Sequence, residues 1–136
     1  MKQTFKIFIS QPMHDRKEID IILEREVIKT ILMDKGMPLE LIEVIDNYHK
    51  DLPKSAGRVS YLGDSIKQMD EADVIIFAKG TDKAKGCKIE WAVAKLYGIP
   101  YIHIEELTAP TFNMCATITE MNRYRIDRGR KVIDIL

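Results

Sequence analysis

Residues Val74-Ile75-Ile76-Phe77-Ala78 form an apolar run with no polar residue at alternate positions. A strand with one wet face alternates apolar and polar residues, whereas a strand covered on both faces has no need to. The run therefore demands a layer of structure on each side. Shorter apolar runs lie at Lys6 to Ile9, at 41–45 (Leu-Ile-Glu-Val-Ile) and at Ile99 to Ile104, and helical segments separate them. Strands alternating with helices imply right-handed crossovers and a parallel sheet with helices on both faces. The expected fold is α/β with a parallel sheet of four to five strands. Val132 to Leu136 is read as an edge strand or a helical stub.

The punctuation supports this order. Pro12 has no N–H to give to a ladder, so the first strand ends at Ser10-Gln11. Asp15 and Glu18 have the spacing of a capping box, and Ile19, Ile22, Leu23, Val27, Ile31 and Leu32 then recur at helical spacing up to Gly36. The stretch 46–60 contains Asn47, Pro53, Ser55 and Gly57 and reads as a loop long enough to cover a site. A short helix over 63–71 follows, with Ile66 and Met69 inward. Another helix runs from Cys87 to Tyr97 and closes at Gly98, and a helix over 115–125 is expected in the tail.

Length and charge narrow the function. The chain has 136 residues, close to the roughly 150 typical of one domain, so residues 1–136 are read as one. Lys+Arg and Asp+Glu both total 21. Zero net charge argues against a nucleic-acid binder held by a broad basic face and against a polybasic membrane anchor. No apolar stretch approaches the roughly 20 residues of a membrane span. The start carries no secretory signal, and Cys87 and Cys115 form no CxxC pair. The expected location is the cytoplasm, without disulfides.

Cofactor motifs are absent. There is no GxGxxG, no GxxxxGK[ST] and no HExxH, so neither a dinucleotide, a P-loop nucleotide nor a metal is expected. His14, His49 and His103 are far apart and read as surface or core histidines. Ligands of open α/β sheets bind beyond the carboxyl ends of the strands. That rule points at three loops, Ser10 to Asp15, Asn47 to Ser60 and Lys79 to Glu90.

In the third loop, Gly86 lets backbone approach a ligand and Glu90 is placed in the first turn of the following helix. There the helix dipole favours an ionised carboxylate. Such a carboxylate suits nucleophilic attack on an anomeric carbon; the bland alternative is an ordinary helix-start residue. Cys87 is a rival nucleophile if the helix N-terminus lowers its thiol pKa. Asp64 reads either as a helix N-cap, together with Ser65, or as a carboxylate for a sugar hydroxyl or a departing base. Ser10 and Gln11 are polar groups at a strand end, where ligand is normally met.

Three blocks carry a family resemblance. They are Ile7-Phe8-Ile9-Ser10-Gln11-Pro12-Met13, then Ala72-Asp73-Val74-Ile75-Ile76-Phe77, then Gly86-Cys87-Lys88-Ile89-Glu90 with Ala94 and Tyr97-Gly98-Ile99-Pro100. In this order, over roughly residues 5–104, the chain resembles the nucleoside 2-deoxyribosyltransferase-like superfamily, in particular its small phage and bacterial members. The resemblance implies a flavodoxin-like or Rossmann-like three-layer sandwich. It implies cleavage or transfer at the N-glycosidic bond of a 2-deoxynucleoside or its monophosphate, with Glu90 as nucleophile and a homo-oligomer in which a neighbour completes the site. Asp64 is the candidate partner carboxylate, and Ser10, Gln11, Met13, Asp82 and Gly86 are the candidate substrate contacts. Lys79, Lys83, Lys85 and Lys88 would form a basic rim for one phosphate. The family pattern has acids where this chain has Ser65 and Ala84; Asp64 and Asp82 are the nearest. That departure supports an alternative, a non-catalytic nucleotide-binding or sensing module on the same fold.

Overall fold

The computed structural model describes residues 3–46 and 52–135. Four strands form one sheet: β1 (Phe5–Ser10), β2 (Ile42–Val44), β3 (Val74–Phe77) and β4 (Tyr101–His103). Their order is β2-β1-β3-β4, and every neighbouring pair is parallel. The helices are α1 (Glu18–Asp34), α2 (Arg58–Met69), α3 (Lys85–Tyr97), α4 (Ile104–Leu107) and α5 (Met114–Asp127). The molecule is a flavodoxin-like α/β sandwich of three layers. No described helix is long and apolar enough to cross a membrane.

The pleat assigns the layers. Ile7, Ile9 and Ile76 face one side and pack with Ile28 and Leu32 of α1 and Ile118 and Met121 of α5. Phe8, Ile75 and Phe77 face the other side and pack with Met69 of α2 and Ala94 of α3. All four residues of β3 are buried, which accounts for its unbroken apolar run. Gly98 stops α3 in the left-handed conformation (φ 70°), which costs a residue with a Cβ.

Several boundaries differ from the sequence reading. The start of α1 has no Asp15 cap. Asp15 sits in a turn at φ 59°, Arg16 N–H donates to Met13 O, and Lys17 precedes the first helical residue. The apolar spacing located α1 but not its inner face. Ile21, Ile28 and Leu32 are buried, whereas Ile19, Ile22, Leu23 and Val27 are exposed. α1 is apolar on more than one side, so periodicity alone could not choose the side that meets the sheet. α2 begins at Arg58, five residues before the expected start, so residues 58–60 are helix and not loop. Of the expected covering loop, residues 47–51 lie outside the described residues. Ile99, Pro100 and Ile104 flank β4 without joining it.

Among the described residues the tail is neither strand nor helix beyond α5. Ile133 is buried, and Asn122 accepts from its N–H (2.8 Å) and donates to its carbonyl (2.9 Å). One side-chain amide thus gives this residue the pair of bonds a strand neighbour would supply.

Candidate functional site

In a sheet of order β2-β1-β3-β4 the connections leave β1 on one side and reach β3 on the other. In open α/β sheets ligands bind at such a reversal, which here falls beyond the carboxyl ends of β1 and β3. Ser10, the last residue of β1, pairs with Phe77, the last of β3, and its carbonyl accepts from Ala78 N–H at 3.0 Å. Ser10 shares the parity of Phe8, so its side chain projects towards α3. Its Oγ donates to Glu90 Oε1 at 2.7 Å. Glu90 Oε2 has no hydrogen bond among the described residues. The structure therefore brings two of the sequence candidates, Ser10 and Glu90, into contact at the switch point.

The expected setting of Glu90 is corrected in two respects. α3 starts at Lys85, so Glu90 is its sixth residue and lies in the second turn, past the reach of the terminal dipole. The carboxyl is also not firmly ionised. Glu90 is 6% exposed, and burial pushes its pKa up to about 7 against the Ser10 hydroxyl, which pulls it down. At neutral pH the group is divided between acid and carboxylate.

Cys87, one turn earlier, is likewise corrected. Burial pushes its thiol up to about 11; Ser10 opposes this, while the Glu90 and Glu24 carboxylates add to it. A thiol held protonated at neutral pH is a poor nucleophile.

Gln11 has the opposite parity and turns towards α1. Its Nε2 donates to Ile21 O (3.1 Å) and Glu24 Oε1 (2.7 Å), and its Oε1 accepts from Arg25 Nε at 2.7 Å. Both amide protons are engaged within the protein, so Gln11 fixes α1 to the end of β1. Arg16 joins the network through Glu24 Oε1 at 3.0 Å, and Arg25 lies 3.9 Å from Asp46 beyond β2. Sequence reasoning passed over Arg16, Glu24 and Arg25. The available signal was a charged residue, Arg25, in phase with Ile21, Ile28 and Leu32.

The other candidates are more dispersed. Met13 is half-buried in the turn after β1, and Asp82 is exposed between β3 and α3. Gly86 is an ordinary helical residue; a Cβ there would meet Leu62 Cδ1 of α2 at 3.9 Å. The site places no positive-φ demand on it. Asp64 is in the middle of α2 and not at its N-cap, where Oδ2 accepts from Gln68 Nε2 at 2.9 Å. Gln68 Oε1 and Trp91 Nε1 are buried without a partner among the described residues.

His103 stacks on Phe77 (5.1 Å between ring centroids) and meets Trp91 edge-on at 5.0 Å, a packing role. His14 is exposed beside Asp15, and His49 lies outside the described residues. No three His, Cys, Asp or Glu among the described residues converge to hold a metal. Lys79, Lys83, Lys85 and Lys88 are all exposed around the β3–α3 turn.

At the opposite end of the sheet Asp73, fully buried, accepts from Lys6 N–H (2.8 Å) and from Arg125 Nη1 at both oxygens (3.0 and 2.9 Å). A cavity of about 340 Å³ adjoins it, lined by Gln3, Thr4, Lys6, Arg125 and Arg130. It lies away from the strand ends where α/β sheets take ligands, and Arg125 is engaged with Asp73, Gln3 and Lys131 O. Asp73 and its arginines anchor α5 and the tail.

No protein-family model, curated protein or solved structure matches the chain.

Proposed function

We propose that the chain cleaves, or transfers at, the N-glycosidic bond of a 2-deoxynucleoside or its 5′-monophosphate, with Glu90 as the nucleophile. The observation that carries this reading is the Ser10–Glu90 pair at the β1/β3 switch point, a buried carboxyl with one oxygen held by Ser10 and the other without a hydrogen bond among the described residues. In its ionised form Oε2 attacks the anomeric carbon. The bond from that carbon to the base nitrogen breaks, and its electron pair leaves with the base, which takes up a proton from water. The product is a deoxyribosyl ester of Glu90, which water or a second base resolves. Ser10 keeps Oε1 in place and favours the charged form. Lys79, Lys83, Lys85 and Lys88 would attract a 5′-phosphate. Such a site acts as a homo-oligomer in the family that the sequence resembles, and we extend that expectation to this chain.

One observation favours a second reading. Asp82 is exposed and Asp64 is engaged with Gln68, so neither supporting acid is visibly poised at Glu90. A site of this kind suits a nucleotide-binding module without turnover. Incubation with deoxynucleosides and their monophosphates, with chromatography of the free base, separates the two. The expected result is base release by the wild type that falls at least about a thousandfold in Glu90→Gln, and a fluorodeoxyribosyl adduct on Glu90 by mass spectrometry with a 2-fluoro-deoxynucleoside. Calorimetric binding with no release over hours selects the binding module. Undiminished release by Glu90→Gln overturns Glu90 as nucleophile.

A further inference from the structure

The charge balance of the chain hides a segregation. The exposed charged residues of α1 are all acidic, Glu18, Asp20, Glu26 and Asp34, while its two basic residues are half-buried (Lys29) and buried (Arg25). Every exposed charged residue of α3 is basic: Lys85, Lys88 and Lys95. α5 is the contrast, since Glu120, Arg123 and Asp127 mix signs on its exposed face.

Each single-sign helix also carries an apolar stripe on its outer side. On α1, Ile19, Leu23 and Val27 recur every four residues at 56%, 54% and 57% exposure. On α3, Ile89 (43% exposed) and Leu96 (81%) are seven residues apart, with the exposed Ala92 between them. Both spacings hold the stripe on one side of a helix. An apolar strip with a rim of one sign is what a packed helix–helix contact needs, provided the partner's rim has the other sign.

The fold keeps the two stripes apart within one molecule. α1 packs through Ile28 and Leu32 on one face of the sheet, and α3 through Ala94 on the opposite face. Their outer sides point away from each other, so the acidic stripe of one copy can reach only the basic stripe of another.

We propose that this chain associates head to tail with a second copy of itself, α1 of one molecule seated on α3 of the next. Both halves of the complementary pair belong to the same chain, and this singles out a second copy over an unrelated partner. Two different patches in contact make a heterologous interface, which closes into a ring or extends as a helical fibre according to the rotation per step. An α1-to-α1 pair is disfavoured because it would set acid against acid. The inference gives a geometry to the self-association extended to this chain above and shares Lys85 and Lys88 with the proposed phosphate rim; association measured without nucleotide reads it apart from the reaction.

Sedimentation velocity of the full chain, up to about 0.5 mM and from roughly 0.05 to roughly 0.5 M salt, tests it. The expected result is a mass that rises with concentration and falls with salt. Two charge reversals at exposed positions make the test specific. Asp20→Lys/Glu26→Lys gives two basic faces, and Lys85→Glu/Lys88→Glu gives two acidic ones. Each variant alone should associate at least about tenfold more weakly than the wild type, with its circular dichroism spectrum unchanged. An equimolar mixture should recover association, since each basic face then meets an acidic one. A wild type monomeric throughout, an α3 reversal that associates like the wild type, or a mixture that stays monomeric would each overturn the proposal.

Discussion

Glu90 is pulled in two directions by its surroundings. Burial favours the neutral acid, and the Ser10 hydroxyl at 2.7 Å favours the carboxylate. Removing the hydroxyl leaves burial unopposed. A hydrogen bond to a charged group is worth about 1.5–3 kcal/mol, and one pKa unit is about 1.4 kcal/mol. Ser10→Ala should therefore move the acidic limb of the rate profile up by about one unit. The rate at pH 7 then falls about fivefold, from half of the Glu90 carboxyls ionised to about a tenth, while the plateau at high pH is kept. A lowered plateau with an unmoved limb would assign Ser10 to substrate and not to Glu90. The same shift has a consequence for folding. The Glu90 carboxyl titrates at about 7 in the folded chain against an ordinary value of 4.5, so between these values the folded state holds the proton and the unfolded state does not. The stabilisation is complete below pH 4.5 and is lost as pH rises through 7, about 3 kcal/mol in all. Glu90→Gln should match the wild type within about 1 kcal/mol near pH 4 and exceed it by up to about 3 kcal/mol near pH 8 in urea unfolding. A difference that is constant with pH would mean that Glu90 does not titrate in this range.

At the level of elements, the end of β1 divides the work between two layers. Adjacent residues of a strand point to opposite faces, so Ser10 serves α3 and Gln11 serves α1. The alternation could be read from the sequence once the strand was placed, but the partners could not. Glu90 is 80 residues from Ser10, and Arg25 is 14 from Gln11. The helical spacing of α1 was equally visible, yet Ile19, Leu23 and Val27 belong to its outer side. The other end of the sheet has a corresponding anchor. Asp73 ties the start of β3 to β1 through Lys6 N–H and to α5 through Arg125. With the carboxylate gone, Arg125 is a buried cation without its counter-charge, and such losses cost about 3–5 kcal/mol. Asp73→Asn should lower the unfolding free energy at pH 7 by about that amount, while Glu120→Gln on the exposed side of α5 should change it by less than about 0.5 kcal/mol. Equal effects would remove Asp73 from its anchoring role.

At the scale of the whole molecule, the unbroken run of β3 decided the architecture. Four all-buried residues require cover on both faces, and the helices that connect the parallel strands supply it. The class of fold, the parallel sheet and most of the strands were thus written in local pattern. So were the polar strand end at Ser10 and a carboxylate on the helix after β3. Three properties were not. The protonation of Glu90 follows from desolvation, and desolvation depends on what packs over the residue. The commitment of Gln11 to α1 depends on a strand and a helix meeting. The opposition of an acidic and a basic stripe depends on which side of the sheet each helix takes, a fact that zero net charge conceals. Local pattern is set by short-range sterics and periodicity, which a sequence displays directly. Electrostatics and exposure are set by neighbours distant along the chain, and only the tertiary structure brings those neighbours together.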